Sequence, residues 1–122
     1  DQIIKNVGVA YIDLNGLKAI NDNYGHSKGD KFICTAADTF KMVFPDNSYR
    51  VGGDEFVIIE QNIERDKYEE RITALKNIMQ DKQVSISIGV LWREQVDDLE
   101  ALLKSADKLM YMEKEMYHKN RE

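Results

Sequence analysis

The chain has 122 residues, of which 43% are hydrophobic and 32% charged, and its formal net charge is −5 at pH 7. Length and composition are typical of a single soluble domain, and the acidic balance argues against a nucleic acid as partner, because nucleic-acid binders present basic surfaces. No apolar stretch is long enough to span a bilayer and no secretory signal is present, so we expect a cytoplasmic domain without direct membrane contact. The one cysteine, Cys34, excludes an internal disulfide, and its apolar neighbours predict a buried thiol.

Hydrophobic periodicity predicts eight elements in the order β-α-α-β-β-α-β-α. The first is a central strand over residues 7–14, whose near-continuous apolar run is typical of burial on both faces. Asn15 is predicted to cap the short helix that follows, which the turn at Gly25 closes. The later elements are predicted helices over 28–43 and 64–80, a hairpin over 49–59, a strand over 84–91 and a helix from 99 to beyond 117. Because the hairpin imposes an antiparallel pair, these elements predict an α/β (α+β) sandwich with one mixed sheet.

Between the two apolar halves of the hairpin lies the run Gly52-Gly53-Asp54-Glu55. Consecutive glycines are expected to supply the positive φ angles of a tight turn and to leave room for a phosphate beside the backbone. A further acid, Asp13, ends the first strand, and the element order can bring it to the same edge of the sheet as the hairpin turn. Taken singly, Asp13 is a routine strand end, but the three acids together predict a metal-dependent site for phosphoryl or nucleotidyl transfer.

With these motifs in place, the chain resembles the GGDEF family of diguanylate cyclases from about Val7 to Asn120. The motifs that carry the resemblance are Asp13-Leu14-Asn15-Gly16-Leu17-Lys18, Asn21-Asp22-Asn23-Tyr24-Gly25-His26, Gly29-Asp30, Gly52-Gly53-Asp54-Glu55-Phe56, Ser85-Ile86-Ser87-Ile88-Gly89, and Ala106-Asp107 through Tyr111 to Lys114. The family has a palm-type, ferredoxin-like fold that is shared with nucleotidyl cyclases and polymerases. It joins two GTP molecules into cyclic di-GMP with release of pyrophosphate, so the resemblance implies a nucleotidyltransferase of bacterial signal transduction.

The resemblance implies a metal centre with two magnesium (or manganese) ions per active site. Asp13, the backbone carbonyl of Leu14 and Asp54 would hold magnesium. Glu55 would be the second essential carboxylate, either as a metal ligand or as part of the machinery that deprotonates the attacking 3′-hydroxyl. Lys114 would complete the catalytic set.

The resemblance also implies how GTP is recognised. Asn21 and Asp30 would read the guanine edge, a role that suits a carboxylate because it accepts from the N1 and N2 hydrogens that adenine cannot offer. Without the family, both residues would be interpreted as turn caps. The other implied contacts are the amides of Gly16 and Leu17 with Lys18, Lys114 and His118 at the phosphates, Gly52 and Gly53 at the ribose and α-phosphate, and Ile33 and Leu17 as apolar walls.

Two departures from the family pattern carry predictions. Val43 stands where many active members have the arginine of a product-inhibition site, although the matching Asp46 is present. A valine cannot make the bidentate contacts of a guanidinium, so product inhibition through this site is predicted to be absent or weak. His118 stands where a second phosphate-binding arginine is expected, which predicts weaker triphosphate binding unless Lys119 or Arg121 compensates.

Residues 1–122 are expected to form a single GGDEF domain, N-terminally truncated, that serves as the C-terminal output domain of a larger sensor protein. Activity would require a homodimer, since each chain holds one GTP, and an upstream sensory domain would control the pairing. Asn15 replaces a commoner aspartate without removing a metal ligand.

The alternative is an inactive GTP-binding regulatory module that acts by contacting a partner. A cyclase for a mixed dinucleotide is disfavoured by Asp30, and a purely structural ferredoxin-like module is disfavoured by the intact acids.

Overall fold

The structure, a computed structural model, describes residues 3–121. Strands and helices follow one another in the predicted order, with the bounds β1 Ile4–Leu14, α1 Leu17–Tyr24, α2 His26–Val43, β2 Ser48–Arg50, β3 Glu55–Glu60, α3 Arg65–Asp81, β4 Ile86–Val96 and α4 Leu99–Arg121. Strand β4 extends further than its apolar pattern predicts, because its polar second half pairs with the start of β1. Within the described range, none of the helices combines the length and the apolar composition that a bilayer crossing requires.

The sheet has the strand order β2-β3-β1-β4, so β1 lies in its interior. All of the pairings between described strands are antiparallel, and the expectation of a mixed sheet is wrong in this respect. Parallel strands do exist, but they are not neighbours: β3 separates β1 from β2, and β1 separates β3 from β4. Each helical crossover therefore skips one strand, which is the split arrangement of a ferredoxin-like sheet.

Strand β1 is buried on both faces, as its apolar run predicts. Its even-numbered residues, such as Ala10 and Ile12, pack in a cluster with α2 and α3. Its odd-numbered residues, such as Val7 and Val9, pack in a second cluster with α4. Asp13 continues the odd-numbered row, because successive side chains of a strand point to opposite faces. The acid at the end of β1 is therefore on the face that α4 covers.

Two glycines allow helices to approach the sheet closely. A Cβ atom at Gly8 would overlap the ring of Tyr68 on α3, and a Cβ atom at Gly89 would overlap the backbone of Ala106 on α4. Glycine within a strand is typical of such close backbone approaches. The contact at Gly89 matters for the site because it lets α4, the helix that carries Lys114, pack closely against the sheet.

Two local predictions are wrong. Asn15 does not cap α1, because Gly16 is the residue before the helix and no side chain caps it. The side-chain amide group of Asn15 is instead hydrogen-bonded to Ser85 and Ser87. Cys34 is exposed. Adjacent residues of a helix point about 100° apart, so Cys34 turns away from the core although its neighbours in the sequence are apolar.

Candidate active site

The end of β1 and the β2–β3 hairpin meet at one edge of the sheet, as the sequence predicts. Asp13 is paired with Glu55 across β1 and β3, and the amide of Leu14 donates to the carbonyl oxygen of Asp54 at 2.9 Å. On the other side of β1, Asp13 is paired with Ser87 of β4. Directly opposed residues of antiparallel strands lie on the same face. Asp13 and Glu55 therefore share the face that is covered by α4.

Asp13 is the most buried acid of this edge, with 1% of its surface exposed. Its Oδ2 atom accepts a hydrogen bond from Lys114 Nζ at 2.5 Å, whereas its Oδ1 atom is buried without a hydrogen-bond partner. Burial raises the pKa of Asp13; the hydrogen bond from Lys114 opposes this shift, and the charge of Asp54 adds to it. A buried carboxylate oxygen without a partner is unfavourable. The surroundings of Oδ1 therefore favour a bound cation.

The oxygen donors at this edge fit a magnesium or manganese ion. Asp13 Oδ1, Asp54 and the carbonyl of Leu14 are the type of ligand that hard divalent cations prefer. Within residues 3–121, no three His, Cys, Asp or Glu side chains lie close enough together to form a ready-made ligand cluster. The fit consequently rests on two carboxylates and a backbone carbonyl, a set that magnesium usually completes with water and substrate phosphates.

Glu55 is half-buried beside Asp13 and Asp54, and it has Tyr11 as a neighbour on the same face of the sheet. Burial raises the pKa of the Tyr11 hydroxyl, and the negative charges of Glu55 and Asp107 and a hydrogen bond to Glu55 raise it further. Tyr11 was not among the residues predicted from the sequence. Tyr11 is two residues before Asp13, and residues i and i+2 of a strand share a face. This spacing could have indicated that Tyr11 lies beside the site.

The glycine loop of the hairpin differs from the predicted turn. Among the described glycines, only Gly16 and Gly25 have a positive φ, so Gly52 and Gly53 do not supply the left-handed conformations that were expected. Arg50 holds the loop instead, with its Nε donating to the carbonyl of Gly52 at 3.1 Å and its Nη2 to that of Gly53 at 2.7 Å. A Cβ atom at Gly53 would have no neighbour within 4 Å. The loop therefore does leave open space beside its backbone.

A cavity of about 380 Å³ opens next to these acids, between the end of β1, α1 and α4. It contains most of the residues predicted to hold the phosphates, and it also contains Tyr117, which sequence analysis missed. Tyr117 follows Lys114 by three residues, and this spacing places two side chains on one side of a helix. The predicted residues that line the cavity are Leu14, Gly16, Leu17, Lys18, Asp54, Lys114 and His118.

The N-terminus of α1 lines the same cavity and has no side-chain cap. Gly16 precedes the helix with φ of 82° and ψ of 8°, a left-handed conformation that favours glycine. Residues 16–19 border the cavity, so the first amides of the helix lie at its wall. Unpaired amides and the helix dipole both favour an anion at this position. The cavity thus combines a helix end that favours an anion with Asp54, a carboxylate of the sheet edge that favours a cation.

The residues predicted to read guanine lie outside the lining of this cavity, on α1 and α2. Asn21 is half-buried against Gly29, where a Cβ atom would overlap the Asn21 side chain. Asp30 is the next residue after Gly29 and is exposed, whereas Ile33 packs partly against the core. The structure therefore brings Asn21 and Asp30 near one another at the junction of α1 and α2.

A second cavity, of about 470 Å³, lies between α3, β4 and α4. Its apolar floor includes Met79, Ile86 and Ile88, and no predicted site residue lines it. Asp54, the uncapped start of α1 and the lysines Lys18 and Lys114 line the smaller cavity. We therefore take the 380 Å³ cavity as the candidate site, because its lining carries the charged and hydrogen-bonding groups.

The fold is that of a nucleotidyl cyclase-like domain, and comparison with known proteins gives its family. The sequence model of the family described as "Diguanylate cyclase, GGDEF domain" matches residues 2–120. The chain belongs to the GGDEF domain family. This match confirms the resemblance that the motifs indicated.

Relatives and solved structures agree with the family match. The chain is 38% identical to the signaling protein YkoW of Bacillus subtilis, over 90% of this chain and 15% of that protein. It is 34% identical to the diguanylate cyclase DgcS of Shewanella oneidensis, over 88% of this chain and 39% of that protein. The solved GGDEF domain of TpbB (YfiN) from Pseudomonas aeruginosa is 27% identical, with a TM-score of 0.79 over 92% of this chain and 73% of that one. The chain thus spans well under half of the curated relatives named here.

Proposed function

We propose that this domain is a diguanylate cyclase, which condenses two GTP molecules into cyclic di-GMP and releases pyrophosphate. The observation that carries the proposal is the buried Oδ1 atom of Asp13, which has no hydrogen-bond partner. The residues after Asp13, from Leu14 to Gly16, line a cavity with an uncapped helix N-terminus. One site then offers a place for a divalent cation and a place for a polyphosphate. The family to which the chain belongs is described by a reaction, diguanylate cyclisation, that needs both a divalent cation and a nucleoside triphosphate.

The acids of the sheet edge would hold the metal. Asp13, the Leu14 carbonyl and Asp54 would bind one ion and, with Glu55, a second, either magnesium or manganese. Bound ions would neutralise the charge that builds up on the triphosphate and make the 3′-hydroxyl more acidic. Glu55 would either ligate an ion or accept the hydroxyl proton, and the Tyr11 hydroxyl beside it would limit the positions that its carboxylate can take.

The wall of the cavity would hold the phosphates. The amides of Gly16 and Leu17 are at the start of α1, and Lys18 of α1 and His118 of α4 both line the cavity. Lys114 now donates to Asp13, so its proposed contact with the γ-phosphate requires that a metal ion take over the neutralisation of Asp13. With His118 in place of an arginine, triphosphate binding should be weaker at neutral pH than in members that have the arginine.

The junction of α1 and α2 would hold the base. Asn21 and Asp30 would pair with the guanine edge, and Leu17 and Ile33 would form apolar walls for the base and sugar. Gly52 and Gly53 would admit the ribose and the α-phosphate, which the open space beside Gly53 supports.

The reaction needs two chains. In each half-reaction a 3′-oxygen bound to one chain would form a bond to the α-phosphorus of the GTP on the other chain, and the bond from that phosphorus to the bridging oxygen of the β-phosphate would break. The hydroxyl proton goes to Glu55 or to solvent, and pyrophosphate carries the displaced charge. A homodimer is therefore the proposed active state, under the control of an upstream sensory domain in the longer parent protein.

Product formation at several protein concentrations tests the proposal. The purified domain is incubated with GTP and magnesium, and cyclic di-GMP is measured by mass spectrometry. We expect a rate per chain that rises with concentration and that is lost in Glu55→Gln, whereas Glu64→Gln, at an exposed glutamate before α3, should retain it. Binding of GTP without product at any concentration would contradict the proposal and favour the regulatory alternative.

A further inference from the structure

Asn15 forms a part-buried polar network at the point where β1 passes into α1. It is 5% exposed, and Ser87 is fully buried. The Asn15 Nδ2 atom donates to Ser85 Oγ at 3.0 Å, and Ser87 Oγ donates to Asn15 Oδ1 at 2.9 Å. The Asn15 amide also donates to the carbonyl oxygen of Ser85 at 2.9 Å. One residue thus makes three hydrogen bonds to Ser85 and Ser87, at the start of β4, from a position about 70 residues earlier in the chain.

The network lies between the two halves of the site. Asp13, the proposed metal ligand, is two residues before Asn15, and Gly16, with its left-handed backbone, is the residue after it. Gly16 in turn accepts a hydrogen bond from Ile20 at 3.0 Å, which begins α1. Because Gly16 has no Cβ to restrict its backbone, the direction of the first amides depends on the residue that precedes it. Asn15 is that residue.

Polar side chains are costly to bury, and a fully paired network specifies one arrangement of the chain. Ser87 lies beside Asp13 across the strands, and Asn15 lines the phosphate cavity. The hydrogen bonds of Asn15 therefore connect the metal edge to the cavity wall through rigid strands. The Asn15 side chain donates to one serine hydroxyl and accepts from another. A side chain that served packing alone would not need both of these hydrogen bonds.

We propose that Asn15 is a positioning residue, which holds the Gly16–Leu17 amides at a set distance from Asp13 so that one nucleotide can reach the metal and the helix end together. The proposal rests on the proposed function of the site. It predicts that loss of the network weakens the binding of a triphosphate more than that of a monophosphate, because GMP does not extend to the helix end.

The test compares the affinities of GTP and GMP, each with magnesium, by isothermal titration calorimetry. Asn15→Ala should weaken GTP binding about tenfold, which equals about 1.4 kcal/mol, and change GMP binding less than about twofold. Asn15→Asp should stay within about threefold of the wild type for GTP, because both serine hydroxyls can donate to a carboxylate and so keep the network.

Two further variants separate positioning from stability. Thr39→Val removes a buried hydroxyl that donates to the Thr35 carbonyl within α2 and accepts from Lys82 Nζ. This variant should have a lower unfolding temperature without a change in either affinity. Ser85→Ala alters an exposed residue, so the protein should fold normally even if Asn15→Ala does not, and its GTP affinity should fall about threefold.

The failures are distinguishable. Folded Ser85→Ala and Asn15→Ala variants that bind GTP as tightly as the wild type would overturn the role of Asn15 while leaving the cyclase proposal in place. Equal losses for GTP and GMP would also overturn it, since they would indicate a general loosening of the site. A wild-type domain that binds neither nucleotide with magnesium would overturn the proposed function itself.

Discussion

Lys114 donates a hydrogen bond to Asp13 although 101 residues separate them in the sequence. The bond joins the last helix to the end of the first strand, and it raises the pKa of the Lys114 ammonium. Only one oxygen of Asp13 is used in this way, and the other is buried without a partner. In the absence of a metal, the lysine therefore supplies the positive charge that this carboxylate requires.

Replacement of Lys114 by methionine should destabilise the metal-free domain by about 2 kcal/mol, because the Asp13 carboxylate would stay buried without its counter-charge. The loss is smaller than for a fully buried pair, since the Lys114 side chain is 32% exposed. Magnesium should stabilise this variant more than the wild type, because the ion replaces the missing charge. Urea unfolding with and without magnesium measures both effects.

Lys104→Met is the control for this prediction, since Lys104 is an exposed lysine on the same helix. Its stability should change by less than about 0.5 kcal/mol. A Lys114→Met variant as stable as this control would show that Asp13 does not depend on its lysine.

The Asp13 carboxyl of the metal-free domain should titrate above the ordinary aspartate value of 3.8, because burial raises its pKa. The folded state then binds this proton more tightly than the unfolded state. The contribution of Asp13 to stability is therefore greatest below pH 3.8 and is lost as the pH rises through the raised pKa. Magnesium competes with the same proton and should lower the midpoint. Carbon NMR of the carboxyl group follows the titration, and a midpoint at or below 3.8 without metal would contradict the prediction.

Tyr68→Phe should leave the domain unchanged or stabilise it by about 1 kcal/mol, because the Tyr68 hydroxyl is buried without a hydrogen-bond partner. The ring itself packs over Gly8 and is retained in the variant. Chemical unfolding provides the measurement, with Tyr24→Phe at an exposed tyrosine as the matched control. A loss of more than about 1 kcal/mol would mean that the hydroxyl contributes a favourable interaction.

Gly53→Ala and Gly89→Ala should separate function from folding. The added methyl group at Gly53 meets open space, so stability should change by less than about 0.5 kcal/mol while turnover falls at least about tenfold. At Gly89 the methyl group overlaps the backbone of α4, which should cost about 3 kcal/mol. Unfolding curves and cyclic di-GMP production are measured on both variants. Full activity in Gly53→Ala would argue against a ribose or phosphate at the hairpin.

Cyclic di-GMP should bind weakly, if at all, to the metal-free domain. Val43 ends α2 and packs partly against the core, and Asp46 is exposed after it, so the position of the expected arginine offers no guanidinium to a guanine or a phosphate. Calorimetric titration of the domain with cyclic di-GMP measures the affinity. A dissociation constant below about 1 μM, lost on Asp46→Ala, would show that the inhibition site works without its arginine.

The sequence predicted what local patterns encode. The order of the elements follows from periods of 2 and 3.6 residues, and the meeting of Asp13 with the hairpin follows from strand ends and turn chemistry. The hydrogen bonds of Lys114 with Asp13 and of Asn15 with Ser85 were not predicted, because they join residues 101 and 70 positions apart. The backbone angles of Gly52 and Gly53 were mispredicted for a similar reason, since a side chain, that of Arg50, sets the loop instead of a standard turn.

The position of β1 in the interior of the sheet has a consequence for how the site can move. At its end, the Leu14 amide is bonded towards β3 and the Asn15 amide towards β4, so the chain is tethered from both sides within two successive residues. These amides should exchange with deuterium only when the whole domain opens, at the rate of its slowest protons. The proposed metal ligand is then as rigid as the core itself. Adjustment to an incoming nucleotide would fall to the long side chain of Lys114, which reaches this strand end from α4.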